Sequence, residues 1–248
     1  MIQLKHIYKS WGQNEVLSDY DLSIPDNTKC CIVGMSGSGK SVTMKLILGL
    51  ETADKGEVWI DGENVATFDE AKWRKVLANF GVVFQSAALF SSLNICENVG
   101  IRLYEEKKMS RQAVTDKVVF ALEKVGLKPD ILKLYPDSLS GGMRKRVGIA
   151  RAIIHEPRYL IYDEPTTGLD PINSDLIDEL IVELAQTQYR TSIIITHDFQ
   201  TVHKTADIVA MLHRKRNYFS GKKEAFFQSN DPEIAYFLRR EKEKKSGS

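Results

Sequence analysis

The chain has 248 residues, with 34 Lys and Arg against 33 Asp and Glu, a formal net charge of +1. Hydrophobic residues make up 43% and charged residues 27%, which is ordinary globular usage and excludes wholesale disorder. The length allows one or two domains with a sizeable core, and the balanced charge gives no reason to expect a nucleic-acid partner. Three cysteines, Cys30, Cys31 and Cys96, are too few for a disulfide framework and have no metal-ligand spacing, which fits a reducing setting.

In chain order, the first residues lack the basic start and apolar stretch of a secretory signal. No apolar run reaches the ~18 residues that span a bilayer, so a membrane role would need a second chain. The apolar run 30–33 reads as a buried strand. It leads directly into Gly34-Met35-Ser36-Gly37-Ser38-Gly39-Lys40-Ser41, a phosphate loop of the form Gly-x4-Gly-Lys-Ser. Glycines at these places let successive backbone N–H groups turn toward phosphate oxygens, and the helix expected over 42–50 adds its N-terminal partial charge. Lys40 supplies a compact cation for the phosphates and Ser41 a hydroxyl for Mg²⁺.

Residues 57–60, the turn Asp61-Gly62 and residues 63–65 predict a hairpin, a small antiparallel element beside a parallel core. A strand is expected at 81–84. The stretch 110–126 carries Val114, Val118, Ala121, Leu122 and Val125 on one stripe, a helix that interrupts the strand rhythm. The basic cluster Arg144, Lys145, Arg146 and Arg151 reads as a solvated helix face. Residues 159–162 form a strand that ends in Asp163-Glu164, two carboxylates at the ligand-binding edge of a parallel sheet. There Asp163 would hold Mg²⁺ and Glu164 would polarise an attacking water. A long helix with Leu176, Ile177, Leu180, Ile181 and Leu184 precedes strands at 192–196 and 208–212. Strand and helix alternate as in an α/β protein. The charged stretch 239–248 reads as a flexible tail.

Leu139-Ser140-Gly141-Gly142-Met143, followed by Asp163-Glu164 at the appropriate spacing, resembles the signature of the ATP-binding cassette ATPases. Gln85 matches that family's glutamine loop, Gly168-Leu169-Asp170-Pro171 its dimer-contact loop, and His197 its switch histidine. Trp11 stands where the family stacks an aromatic ring on adenine. The resemblance implies a P-loop (RecA-like) parallel sheet core with an antiparallel β subdomain and a helical subdomain. The single domain would span 1–238, with core and β subdomain in 1–85 and 158–230 and the helical subdomain at about 86–157. It implies ATP and Mg²⁺ as ligands, with Ser41, Gln85 and Asp163 at the metal. It also implies a nucleotide sandwiched between the phosphate loop of one copy and Ser140, Gly141 and Gly142 of a second copy.

Residues 84–90, 94–99 and 165–174, with Met143 where the wider family has Gln, resemble the MlaF-type ATPases of bacterial MCE phospholipid transporters. Met cannot repeat the hydrogen bonds of a Gln side chain. That branch implies a permease of the MlaE type, an MCE-domain protein in the complex, and a place on the cytoplasmic face of the inner membrane. Ala87, Ala88, Leu89 and Phe90 are the expected docking patch for the permease. The alternatives are an ATPase for lipoprotein extraction, solute import or cell division.

Overall fold

The computed structural model describes residues 1–187 and 190–246. The first part of the chain runs β1 (Ile2–Trp11), β2 (Asn14–Ile24), β3 (Lys29–Val33), α1 (Lys40–Ile47), β4 (Lys55–Ile60), β5 (Glu63–Asn64), α2 (Glu70–Leu77) and β6 (Phe80–Val83). Three helices follow, α3 (Ile95–Glu106), α4 (Arg111–Lys124) and α5 (Gly141–Ile153). The remainder is β7 (Tyr159–Asp163), α6 (Pro171–Thr187), β8 (Thr191–Ile195), α7 (Phe199–Thr205), β9 (Ile208–His213), β10 (Arg216–Lys222), α8 (Lys223–Phe227) and α9 (Pro232–Ser246).

One sheet has the order β10-β9-β3-β8-β7-β6, parallel except for the edge strand β10. The other is antiparallel, in the order β2-β1-β4-β5. This is the α/β cassette architecture expected from the sequence.

Strand β3 shows why its sequence is apolar without alternation. Cys31 and Val33 point into a cluster with Val99, Val118, Val147 and Ile181 from the helices on one face. Cys30 and Ile32 point into a second cluster with Leu4, Leu17, Ile47 and Val58 on the other. A central strand covered on both faces has no position at which a polar side chain is cheap. Burial holds both thiols protonated, pushing Cys31 up to about 12, so they are inert core residues. In β1 the buried positions Ile2, Leu4 and Ile7 skip from a spacing of two to three. The pairing register with β2 shifts there and His6 has φ 49°, the mark of a bulge that resets the alternation.

The helical stripe expected over 110–126 is observed, with Val114, Val118, Ala121, Leu122 and Val125 all buried. On α6, Ile177, Leu180, Ile181 and Leu184 are buried, but Leu176 is 45% exposed. Its position one residue ahead of Ile177 turns it to the edge of the buried stripe. Val65 leaves the hairpin to begin a short 3-10 turn capped by Asn64. The charged residues from Arg239 continue α9 as far as Ser246, and 247–248 lie outside the described residues.

Candidate active site

Strand β3 delivers the phosphate loop to the sheet's carboxyl edge. A Cβ on Gly34 would sit 2.5 Å from the Leu212 carbonyl oxygen and 2.7 Å from Ser38 Oγ, so only glycine fits against the end of β9. Gly39 starts α1 at φ 112°, a left-handed backbone that supplies no side-chain cap. The first turn of α1 also contains no acidic residue. A helix start without a cap, at the end of a parallel strand, has amide donors suited to an anion. Ser38 Oγ is buried in the loop and has no hydrogen-bond partner among the described residues. Lys40 is 7% exposed and its Nζ donates to the carbonyls of Gly34 (2.8 Å) and Met35 (3.1 Å).

The acids face this loop across a cleft of about 470 Å³ that Ser36, Gly37, Lys40, Ser41, Gln85, Asp163, Glu164 and His197 help to line. Burial holds the Asp163 carboxyl above the usual carboxylate range; the Glu164 charge adds to this, while Lys40 and Lys145 oppose it. A carboxylate held in so dry a place gains most from a bound cation. Glu164 adopts φ 48° and its backbone N–H donates to the Ile195 carbonyl at 2.8 Å, which turns its side chain off the end of β7. Its Oε1 lies 2.8 Å from His197 Nδ1, and its Oε2 accepts from Thr167 Oγ1 at 3.2 Å. A carboxylate only accepts, so Nδ1 of His197 carries the hydrogen. Glu164 is thereby held by two groups from different loops, on the wall of the cleft that the phosphate loop also lines.

The ABC transporter family profile matches residues 17–167. This chain belongs to that family. It is 35% identical over 237 residues to a "Probable ribonucleotide transport ATP-binding protein mkl" of Mycobacterium leprae, covering 96% of this chain and 68% of that one. It is 32% identical over 238 residues to the "Intermembrane phospholipid transport system ATP-binding protein MlaF" of Escherichia coli K12, covering 96% and 88%. A dimeric ATP-binding cassette, MJ0796, solved in a post-hydrolysis state with ADP and Pi, superposes with a TM-score of 0.82. That comparison has 28% identity and covers 90% of this chain and 99% of the other. The chain is an ABC ATPase that binds and hydrolyses ATP.

In this ABC ATPase, other residues singled out from the sequence lie away from the cleft lining. Ser140 caps α5, accepting from the Met143 N–H at 3.2 Å, and a Cβ on Gly142 would meet Asn173 Oδ1 at 2.5 Å. Gly141 packs toward Leu169. Asp170 accepts from the Asn173 backbone at 3.0 Å and its side chain at 2.6 Å, and these bonds hold its carboxyl below the usual range. Signature and dimer-contact loop therefore support each other within one chain. Trp11, at the end of β1, is 43% exposed, with Lys9 Nζ 5.7 Å from its ring centre.

The basic cluster is not the solvated face that its composition suggests. Lys145 is 6% exposed and bonds the carbonyls of Gln85 (2.5 Å) and Glu164 (3.2 Å). Arg151 bonds those of Ala87 (2.6 Å) and Ala88 (2.7 Å), and Arg144 and Arg146 bond those of Leu139 and Gly126. Ala87 and Ala88 have φ of 61° and 45°, an uncommon conformation for alanine that Arg151 pins. The signal was present in the sequence: Gly142, Lys145, Ile149 and Ile153 fall on one helical stripe, so Lys145 sits among buried residues. Burial lowers its pKa, opposed by the charges of Glu164 and Asp163. The expected docking patch divides in the same way. Ala87 is buried against Gly148 and Leu89 packs on the core, while Ala88 and Phe90 are exposed. Arg240, from α9, also lines the cleft, and no local pattern in the sequence marks it.

Proposed function

We propose that this chain is the ATPase subunit of a phospholipid transporter, acting as a pair of copies beneath a membrane permease of the MlaE type. The carrying observation is the alignment with MlaF, which extends over 96% of this chain and 88% of that protein. Met143 and the run 84–90 are the residues on which the sequence resembles that branch. The match to the ribonucleotide-transport relative covers a smaller share of its partner, 68%.

In this reading the loop amides from Gly34, Ser36, Gly37, Ser38 and Gly39 and the Lys40 ammonium cradle the phosphates, with Trp11 against the base. Mg²⁺, held by Ser41, Gln85 and Asp163, would neutralise phosphate charge. Glu164 orients and polarises the attacking water, and His197, fixed through Nδ1, presents its other ring nitrogen to the cleft. Ser140, Gly141 and Gly142 of a second copy close the site, with Asp170 at the contact. Closure then depends on ATP, and hydrolysis releases it. Among the described residues no helix is long and apolar enough to cross a membrane, which suits a chain attached at the cytoplasmic face through its permease. Phe90 and Ala88 are the exposed apolar residues at the expected docking position.

The test is purification of the native complex through a tag on this chain, with its proteins and lipids identified by mass spectrometry. A permease, an MCE-domain protein and bound phospholipid are expected. A permease without lipid, or a different permease, would overturn the cargo and leave the ATPase intact.

A further inference from the structure

We propose that Arg240, carried by the C-terminal helix α9, is a nucleotide-binding residue that recognises the terminal phosphate of ATP. The proposal rests on the reading of the cleft as the nucleotide site.

Helix α9 is set firmly enough to aim a side chain. Asp231 accepts from the N–H groups of Glu233 (2.9 Å) and Ile234 (3.2 Å) at its start. Glu233 pairs with Arg214 at 2.8 Å and lies 3.4 Å from His213. Ile234 and Phe237 are buried, and Phe237 packs on Phe226 with ring centres 6.4 Å apart. Arg240 follows Phe237 by three residues, so it projects from nearly the same face, less than one turn further on.

At that point Arg240 lines the cleft with Gln85, Glu164 and His197. A guanidinium has five donors, yet the one acceptor recorded for it among the described residues is the thioether of Met35, at 3.5 Å. Thioether sulfur is a weak acceptor. No ion pair joins Arg240 to Asp163 or Glu164 among the described residues, so its charge is not committed to either acid. The other lining cation, Lys40, is turned onto loop carbonyls. Phosphate oxygens match the planar fork of an arginine far better than sulfur does, and would draw it from Met35. Arg240 lines the same cleft as Glu164 and His197 and touches the start of the phosphate loop at Met35. With Glu164 as the group that polarises the attacking water, the outermost phosphate is the one that would lie in the space these residues share. Arg240 therefore contributes to ATP and little to ADP.

The experiment measures ATP and ADP affinity of the full chain in the hydrolysis-slowed E164Q background, by equilibrium binding. Arg240→Gln is expected to weaken ATP about tenfold, the scale of one charge-assisted phosphate contact, with ADP changed less than about twofold. Arg240→Lys should recover part of the loss. Lys40→Ala should weaken both nucleotides. If K40A loses both nucleotides and R240Q binds ATP normally, the role of Arg240 is refuted and the site stands. If neither substitution affects binding, the nucleotide site itself is misplaced. An equal loss of ATP and ADP in R240Q, with a lower melting point without nucleotide, would make Arg240 a packing residue and refute the proposal. In the unsubstituted chain, ATP but not ADP should shield Arg240 from phenylglyoxal; equal labelling in both states would refute the proposal without any variant.

Discussion

Replacing Lys145 with Met tests whether a buried ammonium joins the signature helix to the catalytic edge. Methionine keeps the length and apolar stem of lysine and removes two donor bonds, to the carbonyls of Gln85 (2.5 Å) and Glu164 (3.2 Å). The Glu164 carbonyl still receives the Thr167 N–H at 3.3 Å, so the larger loss falls on Gln85. A charge-assisted hydrogen bond is worth about 1.5–3 kcal/mol, and relief of the desolvation of Lys145 returns part of that. A net loss of about 2 kcal/mol follows, which for a chain of this size lowers the melting temperature by about 4–8 °C. Arg146→Ala is the comparison: its bond to the Gly126 carbonyl (3.0 Å) is exposed, and its loss should cost under about 1 kcal/mol. Because Lys145 holds the backbone of two site residues, K145M should also slow ATP hydrolysis by about tenfold or more, the scale of misplaced catalytic groups. Thermal unfolding followed by circular dichroism, with steady-state phosphate release, measures both. K145M melting within about 1 °C of the parent, with an unchanged rate, would refute the reasoning.

Glu164→Gln should retain ATP binding but lose about 10²–10⁴-fold in hydrolysis, and size-exclusion chromatography with ATP should show accumulated dimer; a full rate would overturn the catalytic role proposed for Glu164. Asp178 is 2% exposed, and burial pushes its carboxyl up to about 7, with Asp198 and Asp175 adding to the rise and Thr201 and Lys204 opposing it. The folded chain keeps a proton that the unfolded chain releases from about pH 4, so stability falls as pH rises toward 7, by up to about 4 kcal/mol. Asp178→Asn should therefore gain on the parent between pH 4 and 7 in melting temperature, and a gap independent of pH would contradict this. Phe90→Glu, at the exposed part of the expected docking patch, should release the permease from the purified complex while leaving the nucleotide affinity of the isolated chain unchanged; an intact complex would count against docking there.

What the sequence determined by itself was everything encoded in contiguous residues. The phosphate loop needs Gly34 and Gly39 at fixed places around Lys40, and strands covered on both faces need unbroken apolar runs. Both requirements are local, so both were legible at 30–41 and 159–164. The pairing of Glu164 with His197 and of Lys145 with Gln85 joins residues 33 and 60 positions apart. The basic run 144–146 was read as a solvated face although the stripe on α5 carries Lys145 among buried residues, and no local pattern says which carbonyls it would meet. Leu176 matched the helical pattern and is exposed, since periodicity gives a face but not the width that a neighbour covers. Arg240 is the extreme case: it reaches Met35 across 205 positions of chain. Its place in the cleft depends on where the sheet ends and how α9 packs on Phe226, and only the assembled core decides that.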